Sequence, residues 1–307
     1  MTELSTGPGK LRLANRQRHL LGLLDLLGGQ VGNLDFQKLL FLYCKEPSVP
    51  QIYDFVPYRF GAFSFTSYAD RRKLVVLQLL NDIDGRWILS DKGRIIAVRA
   101  HEPHMTEFVR RNRNLRGDDL IAATYRQFPY FAIRSEIAHE ILRDDNFALQ
   151  KIESARSIAT PVPLATIGYE GRTIESYLNA LLLAGVTLLC DVRRNAISRK
   201  YGFSKKTLAH ACTGVGIRYE HLPQLGVPGE HRRNLRSQAD YDRLFDRYRR
   251  EVLPQQEHGI LTIRNWINSG ERVALTCFEQ LPNCCHRSCV ASAIGIDGGA
   301  LARVKHL

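Results

Sequence analysis

Leu164-Ala165-Thr166-Ile167-Gly168-Tyr169-Glu170-Gly171 decides the fold of the second half of the chain: it reads as a short apolar strand running into a glycine-containing turn. The residues after it, Thr173–Ala184, carry helical periodicity, and the alternation then repeats outward. Thr187-Leu188-Leu189-Cys190-Asp191-Val192 is a second strand, Ser204–Cys212 a helix and Ile217–Leu222 a third strand. An Arg-rich helical region spans Asp240–Asn268, Val273-Ala274-Leu275-Thr276-Cys277 is a fourth strand, His286–Ile296 a helix, and Ala302–Leu307 a closing strand. Apolar strands separated by helices predict a mainly parallel sheet covered by helices on both faces. Chemistry in such sheets collects at the C-terminal ends of strands. Those ends carry Tyr169-Glu170, Asp191-Val192-Arg193-Arg194, Glu220-His221 and Cys277-Phe278-Glu279, with Cys285-His286-Arg287 after the last loop.

The first half reads differently. Asn15 is placed to cap a helix with Leu20, Leu23, Leu24 and Leu27 on one stripe, ended by Gly28-Gly29, and Asn33 to cap a second helix. Pro47 and Pro50 force a loop, Ile52–Phe60 is extended, and a third helix over Ser67–Leu80 carries Asp70, Arg71, Arg72 and Lys73 on its first exposed turns. Asp84-Gly85 between apolar flanks predicts a two-residue hairpin, and Ser90 starts a further helix. Helices over Asp118–Phe128 and Ile133–Arg143 follow, and Asn146–Pro163 reads as a linker. The expected architecture is α/β: a winged-helix-like α+β domain over 1–100, a helical extension over 101–146, a linker over 147–163 and the parallel-sheet domain over 164–307.

The 307 residues, 44% hydrophobic and 24% charged, describe a globular protein with room for two domains. The net charge of +12 makes a polyanion the first partner to consider. No apolar run reaches the ~18 residues of a spanning helix; the richest, Leu178–Cys190, is broken by Asn179 and Gly185. Met1–Lys10 lacks the apolar core of a secretory signal, so a cytoplasmic location without membrane partners is expected. In that compartment the seven cysteines are not expected to form structural disulfides, although four fall between Cys277 and Cys289.

Two resemblances sharpen this reading. Phe36–Leu42, Tyr53–Ser64 and Trp87–Gly93 resemble a family of prokaryotic winged-helix domains found in regulators and defence-associated proteins. That resemblance implies duplex binding through the third helix and hairpin, with Arg71, Arg72, Lys73 and Arg86 as contacts; a protein-interaction module with a solvated charged face is the alternative. Ile167–Gly171, Asp191-Val192-Arg193, Tyr219–Gly226, Cys277-Phe278-Glu279 and Cys285–Ser288 are similar in order and spacing to the family called domain of unknown function 488, over about residues 164–307. Tyr169-Glu170 and the doubled Cys284-Cys285 depart from its familiar form.

Candidate chemistry follows from the strand ends. Cys285 at a helix N-terminus, beside His286 and Arg287, suits either a low-pKa thiolate or an anion site; a buried structural cysteine is the bland reading. Zinc ligation by Cys277, Cys285, Cys289 and His286 is a rival account, set aside because the two-residue spacing of a zinc ribbon is absent. No metal or cofactor is therefore assigned. Asp191, Glu170 and Glu279, with His221, form a candidate acid–base set able to cleave a glycosidic carbon, while Arg193, Arg194, His286 and Arg287 would bind phosphate. The competing role for Asp191 is pairing with Arg193 or Arg287. Between Asp191 and Glu220 there is no acid, and Arg199, Lys200, Lys205 and Lys206, extended by Arg232 and Arg233, mix with Tyr201 and Phe203 as a nucleic-acid groove would.

The expected function is an enzyme on nucleic acid, DNA rather than RNA. The winged helix would position the polymer and the α/β domain process a base or sugar-phosphate, as in excision of a modified base or a defence reaction, by hydrolase or lyase chemistry. A non-catalytic regulator or defence sensor with a redox- or metal-responsive cysteine cluster is the alternative, and a homo-oligomer is left open.

Overall fold

In a computed structural model that describes residues 12–156, 162–229, 236–295 and 304–307, two units are formed, one from 1–53 with 67–124 and the other from 54–66 with 125–307. The chain begins with α1 (Asn15–Leu26), β1 (Gln30–Gly32), α2 (Asn33–Cys44), β2 (Val56–Tyr58), β3 (Gly61–Phe63), α3 (Phe65–Val76), β4 (Leu80–Asn81) and β5 (Arg86–Leu89). Helices α4 (Asp91–Ala97), α5 (Pro103–Asn112), α6 (Gly117–Gln127), α7 (Ala138–Ile141) and α8 (Asn146–Arg156) follow. The remainder comprises β6 (Leu164–Gly168), α9 (Ile174–Leu183), β7 (Leu188–Asp191), α10 (Lys205–Gly214), β8 (Arg218–His221), α11 (Gln238–Arg247), α12 (Glu257–Asn268), β9 (Val273–Cys277), α13 (Arg287–Gly295) and β10 (Val304–His306).

In the first unit α1 buries Leu20, Leu21, Leu23 and Leu24, and Gly28 and Gly29 end it with φ of +99° and +76°. Asn15 and Asn33 are not caps: each is the first helical residue, after extended Ala14 and Gly32. The antiparallel sheet runs β1-β5-β4, and Trp87 of β5 packs on Phe36 of α2 with ring centroids 4.6 Å apart. The β4–β5 ladder closes at Asn81↔Ile88, so Asp84-Gly85 lies in a longer loop than a two-residue turn. Asp70, expected on an exposed turn of α3, is buried and accepts hydrogen bonds from Arg16 (2.5 Å), Gln17 (2.7 Å) and Tyr53 (3.0 Å).

The second unit is a five-stranded, all-parallel sheet in the order β10-β6-β9-β7-β8. Because side chains alternate across a strand, Leu189 and Ala274 face the α9–α10 layer, while Leu188, Cys190, Val273 and Leu275 face the layer of α11–α13. The helical region 238–268 is interrupted by a π turn over Tyr248–Val252 and a 3-10 turn over Leu253–Gln256, which contains Pro254.

Three expectations are revised here. Asn146–Arg156, read as linker, is helical as α8. Helix 133–143 shrinks to Ala138–Ile141, because Ser135 Oγ takes the Ile137 N–H at 3.2 Å and offers the backbone a competing partner. The β2–β3 hairpin, read as part of the N-terminal domain, belongs to the second unit. Val56 enters the core beside α9, and buried Glu175 accepts hydrogen bonds from Ser64 Oγ (3.1 Å), Thr66 N (2.7 Å) and Thr66 Oγ1 (3.0 Å).

Within the first unit, Lys38 of α2 is 1% exposed, and burial pushes its pKa down to about 7. A depressed ammonium pKa contributes stability above the unfolded value of ~10.4 that is lost as pH falls toward 7, since the unfolded chain holds the extra proton in between. Lys38→Met should therefore exceed the parent in stability most at pH 7, with the difference shrinking toward pH 10 in urea unfolding. Parallel stability curves for the two proteins would contradict this.

Candidate functional site

The C-terminal ends of β6, β7 and β9 open onto a cleft of about 490 Å3 lined by Tyr169, Arg193, Arg194, Ile197, Cys277, Phe278 and Glu279, among others. At its base Asp191, 0% exposed, accepts Nε of Arg193 at 2.8 Å, Nη2 at 2.5 Å, the Arg193 N–H at 3.1 Å and the Tyr219 hydroxyl at 2.7 Å. The Arg193 guanidinium also donates to the Tyr169 hydroxyl (3.0 Å) and the Phe203 carbonyl (2.9 Å), and lies over the Tyr169 ring. Burial works against its charge, but the bonds from Asp191 and Tyr169 outweigh it and leave the pKa raised. Asp191 is thus saturated by structural partners, and the pairing alternative describes it better than an acid–base role.

His221 sits at the end of β8, paired in register with Asp191, and its Nε2 donates to the Arg193 carbonyl at 2.8 Å. Glu170 is exposed and accepts the Gln280 N–H at 3.0 Å. Its neighbour Lys200 donates to the Tyr169 carbonyl at 2.9 Å, and burial lowers its pKa against the opposing pull of Glu170. Of the expected carboxylates, Glu279 is the one that lines the cleft.

The phosphate set is dispersed. Arg287, 0% exposed, donates to the carbonyls of Glu279 (2.5 Å) and Gln280 (2.8 Å), so it braces a loop. His286 is also buried, its Nε2 donating to the Val192 carbonyl at 2.9 Å. Arg193 is held by Asp191, and Arg194 is the exposed arginine on the cleft wall. Cys285 is 1% exposed, and burial, then the hydrogen bond with Cys277, pushes its thiol pKa well up. Burial thus opposes the lowering expected at a helix N-terminus, and Cys285 is not among the residues that line the cleft.

The basic residues divide similarly. Arg71 donates to the carbonyls of Ile83 and Arg86 at 3.0 and 3.1 Å and supports the β4–β5 loop, whereas Arg72, Lys73 and Arg86 are exposed. Arg199, Lys205 and Lys206 are exposed in the second unit, and Arg232 and Arg233 lie outside the described residues.

Sequence reasoning missed Tyr169, Tyr219 and Phe278 as cleft-building groups, and Gly168 as the opening that admits the loop. A Cβ on Gly168 would stand 1.9 Å from the Glu279 carbonyl oxygen. No single-residue pattern marks such a crossing before the strands are ordered.

Breaking the buried pair by Asp191→Asn should cost about 3–5 kcal/mol in urea unfolding, because the Arg193 charge is then left without its counterion. Glu170→Gln, on the exposed rim, should stay within about 0.5 kcal/mol of the parent. Equal stability of Asp191→Asn and the parent would mean that the pair does not hold the strand ends.

No curated protein and no solved structure matches the chain. A family model described as Domain of unknown function DUF488 matches residues 173–294, which take in β7 to β9, Glu279 and the Cys285-His286-Arg287 stretch.

Proposed function

We propose that this chain is a nucleic-acid-processing enzyme, in which the winged-helix-like first unit grips DNA and the second unit works on a base or sugar-phosphate in the cleft at its strand ends. The observation that carries the reading is the composition of that cleft. It lines one cleft with Glu279, the exposed Arg194 and the ring of Phe278, 43% exposed, while the Tyr169 ring is buried between Phe203 and Arg193. A carboxylate serves as general acid or base, an arginine takes a phosphate, and aromatic faces stack on bases. The volume falls inside the range of ~300–1,000 Å3 usual for small-ligand sites, enough for a flipped nucleotide.

Support from charge is selective. Arg194, Arg199, Lys205 and Lys206 are exposed, as are Arg72, Lys73 and Arg86 on α3 and β5. The acid–base role passes from Asp191 to Glu279, because Asp191 is sequestered with Arg193. Reactions at the N-glycosidic bond fit one carboxylate and a phosphate-holding arginine.

Labelled single- and double-stranded oligonucleotides carrying varied modified bases, followed by mass analysis of the products, test the reading. Glu279→Gln should remove product formation while leaving affinity within about two-fold, as loss of an acid–base group without loss of contacts requires. Undiminished turnover in that variant would sink the assignment. Arg72→Ala with Lys73→Ala should weaken duplex binding and flatten the slope of log K against log salt by about 2. An unchanged slope would remove α3 from the interface.

A further inference from the structure

Folding brings together three side chains that the reading above leaves without a role. Cys277 ends β9, and Cys285 and His286 immediately precede α13; each is 1% exposed. Their ligand atoms lie within 4.8 Å of one another, with His286 Nδ1 3.7 Å from Cys277 Sγ and 3.9 Å from Cys285 Sγ. From this convergence we infer that Cys277, Cys285 and His286 form a binding site for a zinc-class ion, with a fourth position beside Glu279.

Distances decide in favour of a metal set. Zinc bonds of about 2.3 Å to sulfur and 2.0–2.1 Å to nitrogen, placed tetrahedrally, put sulfur about 3.5–3.6 Å from nitrogen and about 3.8 Å from a second sulfur. The two S···N separations, 3.7 and 3.9 Å, sit a few tenths of an ångström outside that edge, a gap that side-chain rotation closes. Orientation agrees as well. His286 Nε2 donates to the Val192 carbonyl, which fixes the tautomer and leaves the Nδ1 lone pair aimed at the two sulfurs, the arrangement that metal-binding histidines use. Two thiolates neutralise a divalent ion, so the site suits a buried place where an unpaired charge would not survive.

The neighbouring cysteines do not share this geometry. Cys284 faces Gln238 at 3.7 Å, and Cys289 takes a contact from Arg249 at 3.5 Å. The ligands therefore come from a strand end and a helix start and not from a short chelating loop, which is why ribbon spacing is absent from the sequence. Three protein ligands are the signature of a site with an open place for water or substrate. Glu279 Oε2 lies 3.2 Å from Cys277 Sγ, and both residues line the cleft. An ion held there would supply Lewis-acid chemistry at the cleft, with Glu279 placed to take a proton.

The test reads the metal and not activity, so it stands apart from the nucleic-acid reading. Full-length chain, purified under reducing conditions after zinc loading, should carry about one zinc per molecule by elemental analysis, and Cys277→Ser with Cys285→Ser should fall to trace levels. Cys289→Ser should keep its metal, and cobalt exchange should give tetrahedral visible bands with thiolate charge transfer. Because the double variant risks misfolding, alkylation mapping on the parent provides a second readout: Cys277 and Cys285 should be protected until a chelator is added. Zinc well below stoichiometry in the folded parent, alkylation of both cysteines at equal rates with and without chelator, or a Cys277–Cys285 disulfide in the reduced preparation would overturn the assignment.

Discussion

The buried Asp191–Arg193 pair is the interaction on which the working end of the sheet depends. Removing two charges from water costs several kcal/mol per ion, and the cost is offset only where the geometry is good and the remaining polar atoms are satisfied. Here the carboxylate accepts from the guanidinium, the Arg193 N–H and Tyr219, while the guanidinium goes on to Tyr169 and Phe203. His221 donates to the Arg193 carbonyl and His286 to the adjacent Val192 carbonyl. The ion pair thus ties the end of β7 to Tyr169 after β6 and to Tyr219 in β8, and the neighbouring carbonyls take His221 and His286. The acid most readily taken for a catalyst is committed to holding the floor on which a catalyst would stand.

A second brace fixes the opposite wall. Gly168 lets the Glu279 carbonyl cross the end of β6, Arg287 grips that carbonyl and the one after it, and Glu170 takes the Gln280 N–H. The Glu279 backbone is consequently held by neighbours on both sides, and its carboxylate, which accepts the Cys277 thiol at 3.2 Å, lines the cleft. Arg287 is 0% exposed, with Nη1 and Nη2 each on a loop carbonyl, so it serves as a brace of this wall.

How much of this was legible before the fold was known depends on the range of the interaction concerned. The parallel sheet, its strand boundaries and the clustering at strand ends were readable, because apolar runs and helical stripes are local and the Asp191-x-Arg193 spacing itself suggests a pair. Features that rest on distant partners were not. The β2–β3 hairpin joined the second unit through Val56 in its core and the bonds of Ser64 and Thr66 to Glu175, a partner over a hundred residues away in sequence. Asp70 and Arg71 looked like solvated helix charges, yet one is buried under Arg16, Gln17 and Tyr53 and the other supports a loop through its carbonyls. The convergence of Cys277, Cys285 and His286 was not readable either, because the three come from a strand end and a helix start and not from one chelating loop.

The same distinction changes the meaning of the basic interval between Asp191 and Glu220. Counted in sequence it holds seven cations, from Arg193 to Arg218. In the folded chain Arg193 is inside the ion pair, Lys200 is drawn to the Tyr169 carbonyl, and Arg218 lies over Trp266 with Glu271 at 3.3 Å. Arg194, Arg199, Lys205 and Lys206 are left at the surface. Counterion release on binding a polyanion scales with cations that reach phosphates, not with formal charge. Arg218, exposed but paired with Glu271, adds less, so the net charge of +12 overstates the electrostatic part of any nucleic-acid affinity in this interval.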